Sequence, residues 1–448
     1  MQIQGFHSSS LADAEPLRSA RPGLLPQSYV VRRALCPYIR HVTRDQPYRA
    51  FFLLGIALAA LGVLPWILFS LGFAQAYRPI FHSLVFRSMF HPLAEVEGFL
   101  TCFAVGSVFT LLPQRTKTEP PKAWQIAIGL GAPALIVVSA ALRAWPLGQL
   151  AWFLLLAMLV EFAIRRIAQH RFVQAQPEVA VWIIAGLFMG VLGAGFATLG
   201  EIWGREWLWL YDLGRALLTQ GMFTGLCLGS AAMLLARESR ARGAAAVHAL
   251  AAVLFIASFW LGQFGHLRLA FALRASLTLA VALQLLRAPA LTSNSQSPVR
   301  AARIALWMLP IGNFWVALLP ASIRAGLHVI YLGCFTLLIL VLSTQLLEWS
   351  GRGASSSPPQ VRAIQLWLGA GCLALALATR ILVEMDPPNF KLWLGVAGAC
   401  FVAATAFMIW GMTDWLKQIL EIESSASSSP QPRPDLSRNL EQSSRRQD

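Results

Sequence analysis

The sequence predicts an all-α protein, a polytopic bundle of about twelve membrane-crossing helices with both termini in the cytoplasm. Three observations predict it. Of 448 residues, 56% are hydrophobic and 13% are charged, against about 45–50% and about 25% in soluble domains, so water is the wrong solvent for most of the chain. The apolar residues fall in runs of about twenty, the length that carries a helix across a bilayer. The basic residues fall between these runs in alternation, and that alternation sets orientation.

The segments follow in order. Residues 1–50 are polar, basic and proline-bearing, without a short charged start followed at once by an apolar stretch, so they read as a cytoplasmic tail and not as a cleavable signal. A transmembrane domain over 51–417 then holds apolar runs at 51–73, 93–112, 124–142, 147–164, 179–200, 213–235, 244–264 and 267–286. Four more lie at 302–319, 325–347, 361–382 and 392–416. Residues 418–448 carry a Ser/Gln/Arg-rich cytoplasmic tail that cannot bury a core and is expected to be disordered.

Arg32, Arg33, Arg40, Arg44 and Arg49 precede the first run, and Arg115, Lys117 and Lys122 follow the second. Arg165, Arg166 and Arg171 follow the fourth, Arg237, Arg240 and Arg242 the sixth, Arg287, Arg300 and Arg303 the eighth, and Arg352 and Arg362 the tenth. Every even-numbered loop is basic, which places those loops in the cytoplasm of a bacterial inner membrane and makes the number of spans even. Small residues at Gly186 and Gly190, and at Gly221, Gly225 and Gly229, mark close helix packing.

Several function classes are excluded. The net charge of +15 sits in short connections and tails, with no basic groove for nucleic acid. Six scattered cysteines show no CxxC or CxxCH spacing, which argues against disulfides, zinc and covalently attached haem. No Walker A, GxGxxG, HExxH or GxSxG motif occurs in a supporting context, so nucleotide hydrolysis and soluble hydrolase chemistry have no basis, and the chain does not read as an enzyme.

Histidine carries the candidate chemistry. The topology puts His82, His91, His266 and His328 near the periplasmic ends of their segments, where imidazoles on facing helices can hold a metal or haem. The alternative is that each caps a helix or meets a headgroup. Pro92 suits the first turn of the second span, so His91 starts it with Glu95 on the same face. Glu95 then either orients an imidazole or answers the positive helix N-terminus, while Glu97 faces a headgroup or another helix. Glu161 and Arg274 are ionisable residues within spans and candidate intramembrane charge sites, with a carboxylate or a haem propionate as the expected partner of Arg274. Arg78, Arg87, Arg324 and Arg380 share the histidine side, where guanidinium forks clamp carboxylates or contact headgroups.

The residues of spans one, two, six and ten carry a resemblance. The stretch from Pro47 to Ile56, then Phe90-His91 with Gly98-Phe99, Gly106, Thr110 and Pro113, is similar to the NnrS family of membrane proteins. So are Gly214-Arg215 with Gly221, and His328, Gly333, Leu340 and Thr344 with Gly351-Arg352. Leu93 stands where the family's second histidine falls, Ala94 replaces its glutamate, Gln345 its arginine, and no histidine precedes Gly351. Several family ligand positions are therefore not retained.

The resemblance implies a haem- and copper-containing protein linked to the nitric oxide response of denitrifying bacteria. His91 and His328 are the metal ligands it leaves, with His82, His266 and Arg324 as further cofactor contacts and Glu95 behind them. The partners expected are the lipid bilayer and a small diffusible ligand such as nitric oxide. Two rival expectations stand beside it: a secondary transporter, for which Pro310, Gly312 and Asn313 would interrupt span nine, and a cofactor-free scaffold subunit that packs through its glycine faces.

Overall fold

The computed structural model describes residues 46–73, 90–142, 144–168, 176–235, 244–287, 296–350 and 359–428. Among them no strand occurs, and twelve helices are long and apolar enough to cross a membrane. They are α1 (Tyr48–Ser70), α2 (Phe90–Thr116), α3 (Ala123–Ala141), α4 (Trp145–Ala168), α5 (Pro177–Trp203) and α6 (Leu208–Leu235). The second half holds α7 (Ala244–Gln263), α8 (Leu267–Arg287), α9 (Gln296–Leu318), α10 (Pro320–Leu347), α11 (Pro359–Met385) and α12 (Phe390–Ser428). Each apolar run of the sequence is one helix. The chain is a multi-pass membrane protein.

Three helices form the middle of the bundle. Burial within the protein covers 89% of the apolar stretch of α2, 78% of α6 and 72% of α10, but only 28% of α7 and α11. These same three contain π-helical segments, at Leu93–Leu100, Leu217–Met222 and Val329–Thr336. They recur at intervals of four helices. A π segment bonds each N–H to the fifth carbonyl back and so widens the turn, a feature frequent at functional sites. At the end of two of them a threonine bonds to the fifth carbonyl back: Thr101, just after the first, donates through Oγ1 to Val96 O at 3.0 Å, and Thr336, the last residue of the third, to Tyr331 O at 2.9 Å.

The glycine faces pack as their spacing implies. α5 and α6 meet so closely that a methyl group on Gly225 would lie 2.5 Å from Gly186 Cα, and one on Gly186 would lie 2.8 Å from Met222 O. α12 lies on α1 and α2, with Gly398 against Val63 and Ile67 and Phe401 edge-on to Phe99.

One expectation is corrected. Pro310 does not interrupt α9, which is a continuous helix from Gln296 to Leu318, and Asn313 Nδ2 donates to Leu309 O at 2.8 Å within it. The irregular backbone lies in the π segments of α2, α6 and α10 instead.

Candidate functional site

His91 opens α2 just before the π segment. Pro92 follows with φ −59° and ψ −36°, the helical values its ring favours in a first turn. The half-buried imidazole turns toward α1, where Nδ1 meets Gly62 O at 3.2 Å and the ring stands edge-on to Trp66 at 6.0 Å. Glu95 turns to the same place. A methyl group on Gly62 would lie 2.6 Å from Glu95 Oε1, so only glycine leaves room for this carboxyl. That oxygen is buried and has no hydrogen-bond partner among the described residues.

His328 is the counterpart on α10, again just before a π segment. Its Nδ1 meets Arg324 O at 2.7 Å, and its ring stands edge-on to Tyr331 at 6.4 Å. A carbonyl only accepts, so in each histidine Nδ1 carries the proton. In the neutral ring Nε2 is then a free lone pair. Metal-ligating histidines are held in the same way by the nitrogen that does not bind the metal.

The two rings come together. His91, Arg324 and Arg380 all lie within electrostatic reach of His328, and Arg380 lies within reach of His91. Arg380 comes from the end of α11, where its Nη1 sits 3.6 Å from Glu384 Oε1 without a hydrogen bond. The ends of α2, α10 and α11 thus gather two imidazoles, two guanidinium groups and the Glu95 carboxyl.

The other candidates lie elsewhere. His266 is exposed at the turn between α7 and α8, where its carbonyl accepts from Ala270 N and its ring makes no hydrogen bond among the described residues. Glu161 is paired with Arg165 four residues on, with 43% of its side chain exposed. It sits at the other end of the bundle, since the neighbouring Arg166 donates to Glu119 O beyond the end of α2. His82, Arg78 and Arg87 lie outside the described residues.

Arg274 is 4% exposed, but its partners are neutral. Nε donates to Ser258 Oγ and Nη1 to Gln220 Oε1, both at 2.9 Å, and the guanidinium lies 3.8 Å from the Phe259 ring centroid and 4.5 Å from that of Phe271. No carboxylate pairs with it among the described residues. Each of its three nitrogens donates one hydrogen bond, Nη2 to Ser258 O at 3.3 Å, so within the protein amide, hydroxyl, carbonyl and aromatic groups stand where a carboxylate was expected.

Sequence reasoning missed Gly62 and Trp66, which read as ordinary span residues. Its reading of Glu97 as facing a headgroup or another helix holds in the second form. Glu97 is 4% exposed, and Gln149 Nε2 on α4 donates to both its oxygens, at 3.2 and 3.3 Å. The one available signal was the second carboxylate two residues after Glu95.

The residues bear on a metal in a limited way. Among the described residues no group of three or more His, Cys, Asp or Glu could hold a metal ion. Two imidazoles with free Nε2 atoms do fit a centre that takes two protein ligands. The Glu95 carboxyl, with one oxygen unpartnered among the described residues, lies beside one of them.

The fold and this site define a polytopic membrane protein with a histidine pair at one end of its central helices. The family described as NnrS protein matches residues 43–419, and the chain belongs to the NnrS family. Among curated proteins none matches it.

Proposed function

We propose that this protein holds haem or copper between α2 and α10, with His91 and His328 as its protein ligands, and serves a bacterial response to nitric oxide or nitrosative stress. The observation that carries the reading is the shared tautomer: each ring is fixed through Nδ1 to a backbone carbonyl, which leaves Nε2 to a metal. Arg324 and Arg380 would meet carboxylate groups of a haem, since guanidinium forks match them. A bound iron or copper supplies a coordination position for nitric oxide.

The chain's own residues do the remaining work. Trp66 and Tyr331 hold the two rings edge-on, and Gly62 admits Glu95 beside His91. Further along α2, α5, α6 and α10 an apolar cavity of about 60 Å³ is lined by Phe103, Phe223, Cys227 and Phe335. A small apolar molecule such as nitric oxide is the solute that such a space accepts. The basic even-numbered loops support a reading in which the protein sits in the inner membrane with both ends cytoplasmic and the histidines toward the periplasm.

Reduced-minus-oxidised optical spectra of detergent-purified protein, with metal analysis on the same sample, test the reading. A Soret band or a copper content lost in His91→Ala and in His328→Ala supports it. Protein from haem- and copper-replete cells that carries neither metal refutes it. The transporter reading keeps its twelve spans but loses the interrupted span nine that pointed to a midplane site, since α9 is continuous.

A further inference from the structure

A second polar site lies at the same end of the bundle, on the other side of α2. A cavity of about 30 Å³ between α2, α4, α5 and α6 is lined by Glu97, Gln149, Glu201, Tyr211, Arg215 and Thr219. Glu97 is 4% and Gln149 8% exposed. Gln149 spends its Nε2 donor on Glu97, but its Oε1 is buried with no hydrogen-bond partner among the described residues. A buried amide oxygen needs a donor, and only something inside the cavity can give it one. The volume admits about two waters and nothing much larger.

The charges complete the picture. Arg215 and Glu201 face Glu97 from α6 and α5, and Tyr211 faces Arg215, Glu201, Glu97 and Asp212. Glu201 lines the cavity and is itself only half-buried near the end of α5, so one side chain joins the cavity to the protein surface there. One guanidinium and two carboxyl groups in a low-dielectric site balance when a single proton is shared by the carboxyls.

We propose that this cavity is a hydrated proton-transfer site, in which water links the Glu201 carboxyl at the protein surface to the buried Glu97 carboxyl. The Glu201 O–H bond breaks as a cavity water accepts the proton, and that water or its neighbour gives one of its own protons to a Glu97 oxygen. No electron moves. Glu201 is left as a carboxylate near Arg215, and Glu97 becomes a neutral acid still held by Gln149. The reverse step returns the proton. Neither His91 nor His328 takes part, so the proposal stands whether or not a metal is bound there.

Infrared difference spectra of the purified full-length protein, taken through a pH titration in H2O and after exchange into D2O, test it. Wild type is expected to show a carboxylic acid C=O band that Glu97→Gln lacks and that shifts promptly in D2O. Glu201→Gln keeps the band but slows its exchange by about tenfold or more. Glu201→Asp restores fast exchange, which a purely structural role would not. Gln149→Leu, which replaces the amide lining the cavity with an apolar side chain of similar size, slows exchange as Glu201→Gln does and serves if the latter fails to fold. A band undiminished in Glu97→Gln, no such band at any pH, or exchange that is unchanged in both Glu201→Gln and Gln149→Leu overturns the proposal.

Discussion

Gly62 decides how His91 and Glu95 are held, because its carbonyl takes the imidazole Nδ1–H and its missing side chain admits the carboxyl. Gly62→Ala would put a methyl group 2.6 Å from Glu95 Oε1 and 2.9 Å from Ala94 Cβ. We expect a loss of about 1–3 kcal/mol from overpacking, read as a lower melting temperature in detergent, with weaker retention of any metal bound through His91. Nearer the surface, Asp386 in the turn before α12 accepts from Trp393 Nε1 at 2.9 Å and from Asn389 Nδ2 at 3.0 Å. Those bonds, Trp393 first, hold its carboxyl below the usual range. A depressed carboxyl contributes stability above its unfolded pKa and loses it as pH falls through the folded one. Amide protection in the 386–393 turn, measured against the intrinsic exchange rate at each pH, should therefore fall between neutral and acid pH, and Asp386→Ala should remove that change. At this scale the sequence announced His91, Glu95 and His328 because histidine and glutamate are rare in apolar runs. It could not announce Gly62 or Gln149, whose roles depend on which helix lies opposite.

Helices were legible from hydropathy alone, since a bilayer demands long apolar runs and permits little else to span it. Their packing faces were legible too, from glycine at every fourth position. A Gly225→Val change forces a branched side chain onto the Gly186 backbone, 2.5 Å from the first added carbon. We expect a cost of about 3 kcal/mol, seen as aggregation on size-exclusion chromatography, whereas Gly371→Ala meets open space and should be neutral. The π segments were not legible, because one widened turn leaves the apolar pattern of a helix unchanged. They are what aim the site. Deleting the half-buried Leu332 from the segment Val329–Thr336 should convert it to α-helix and turn His328 by about 100° relative to the rest of α10. Circular dichroism should keep its helix signal while any His328-dependent absorption is lost. Retention of that absorption would mean that the π turn does not set the imidazole's direction.

At the scale of the whole molecule, the alternation of charge and the count of twelve spans make one prediction about sidedness. An even number of crossings returns the chain to the side on which it began. The short connections after α2, α4, α6, α8 and α10 carry the Arg and Lys excess that stays in the cytoplasm. The turn between α7 and α8, at Gly265 and His266, is then expected in the periplasm together with the starts of α2 and α10. An alkaline phosphatase fused after Gly265 should be active and one fused after Ser428 inactive, with a fluorescent protein at the two positions giving the reverse. The opposite pattern would carry His91, His328 and Glu201 to the cytoplasmic face. A ligand would then reach the histidines from inside the cell, and the proton entering at Glu201 would come from the cytoplasm.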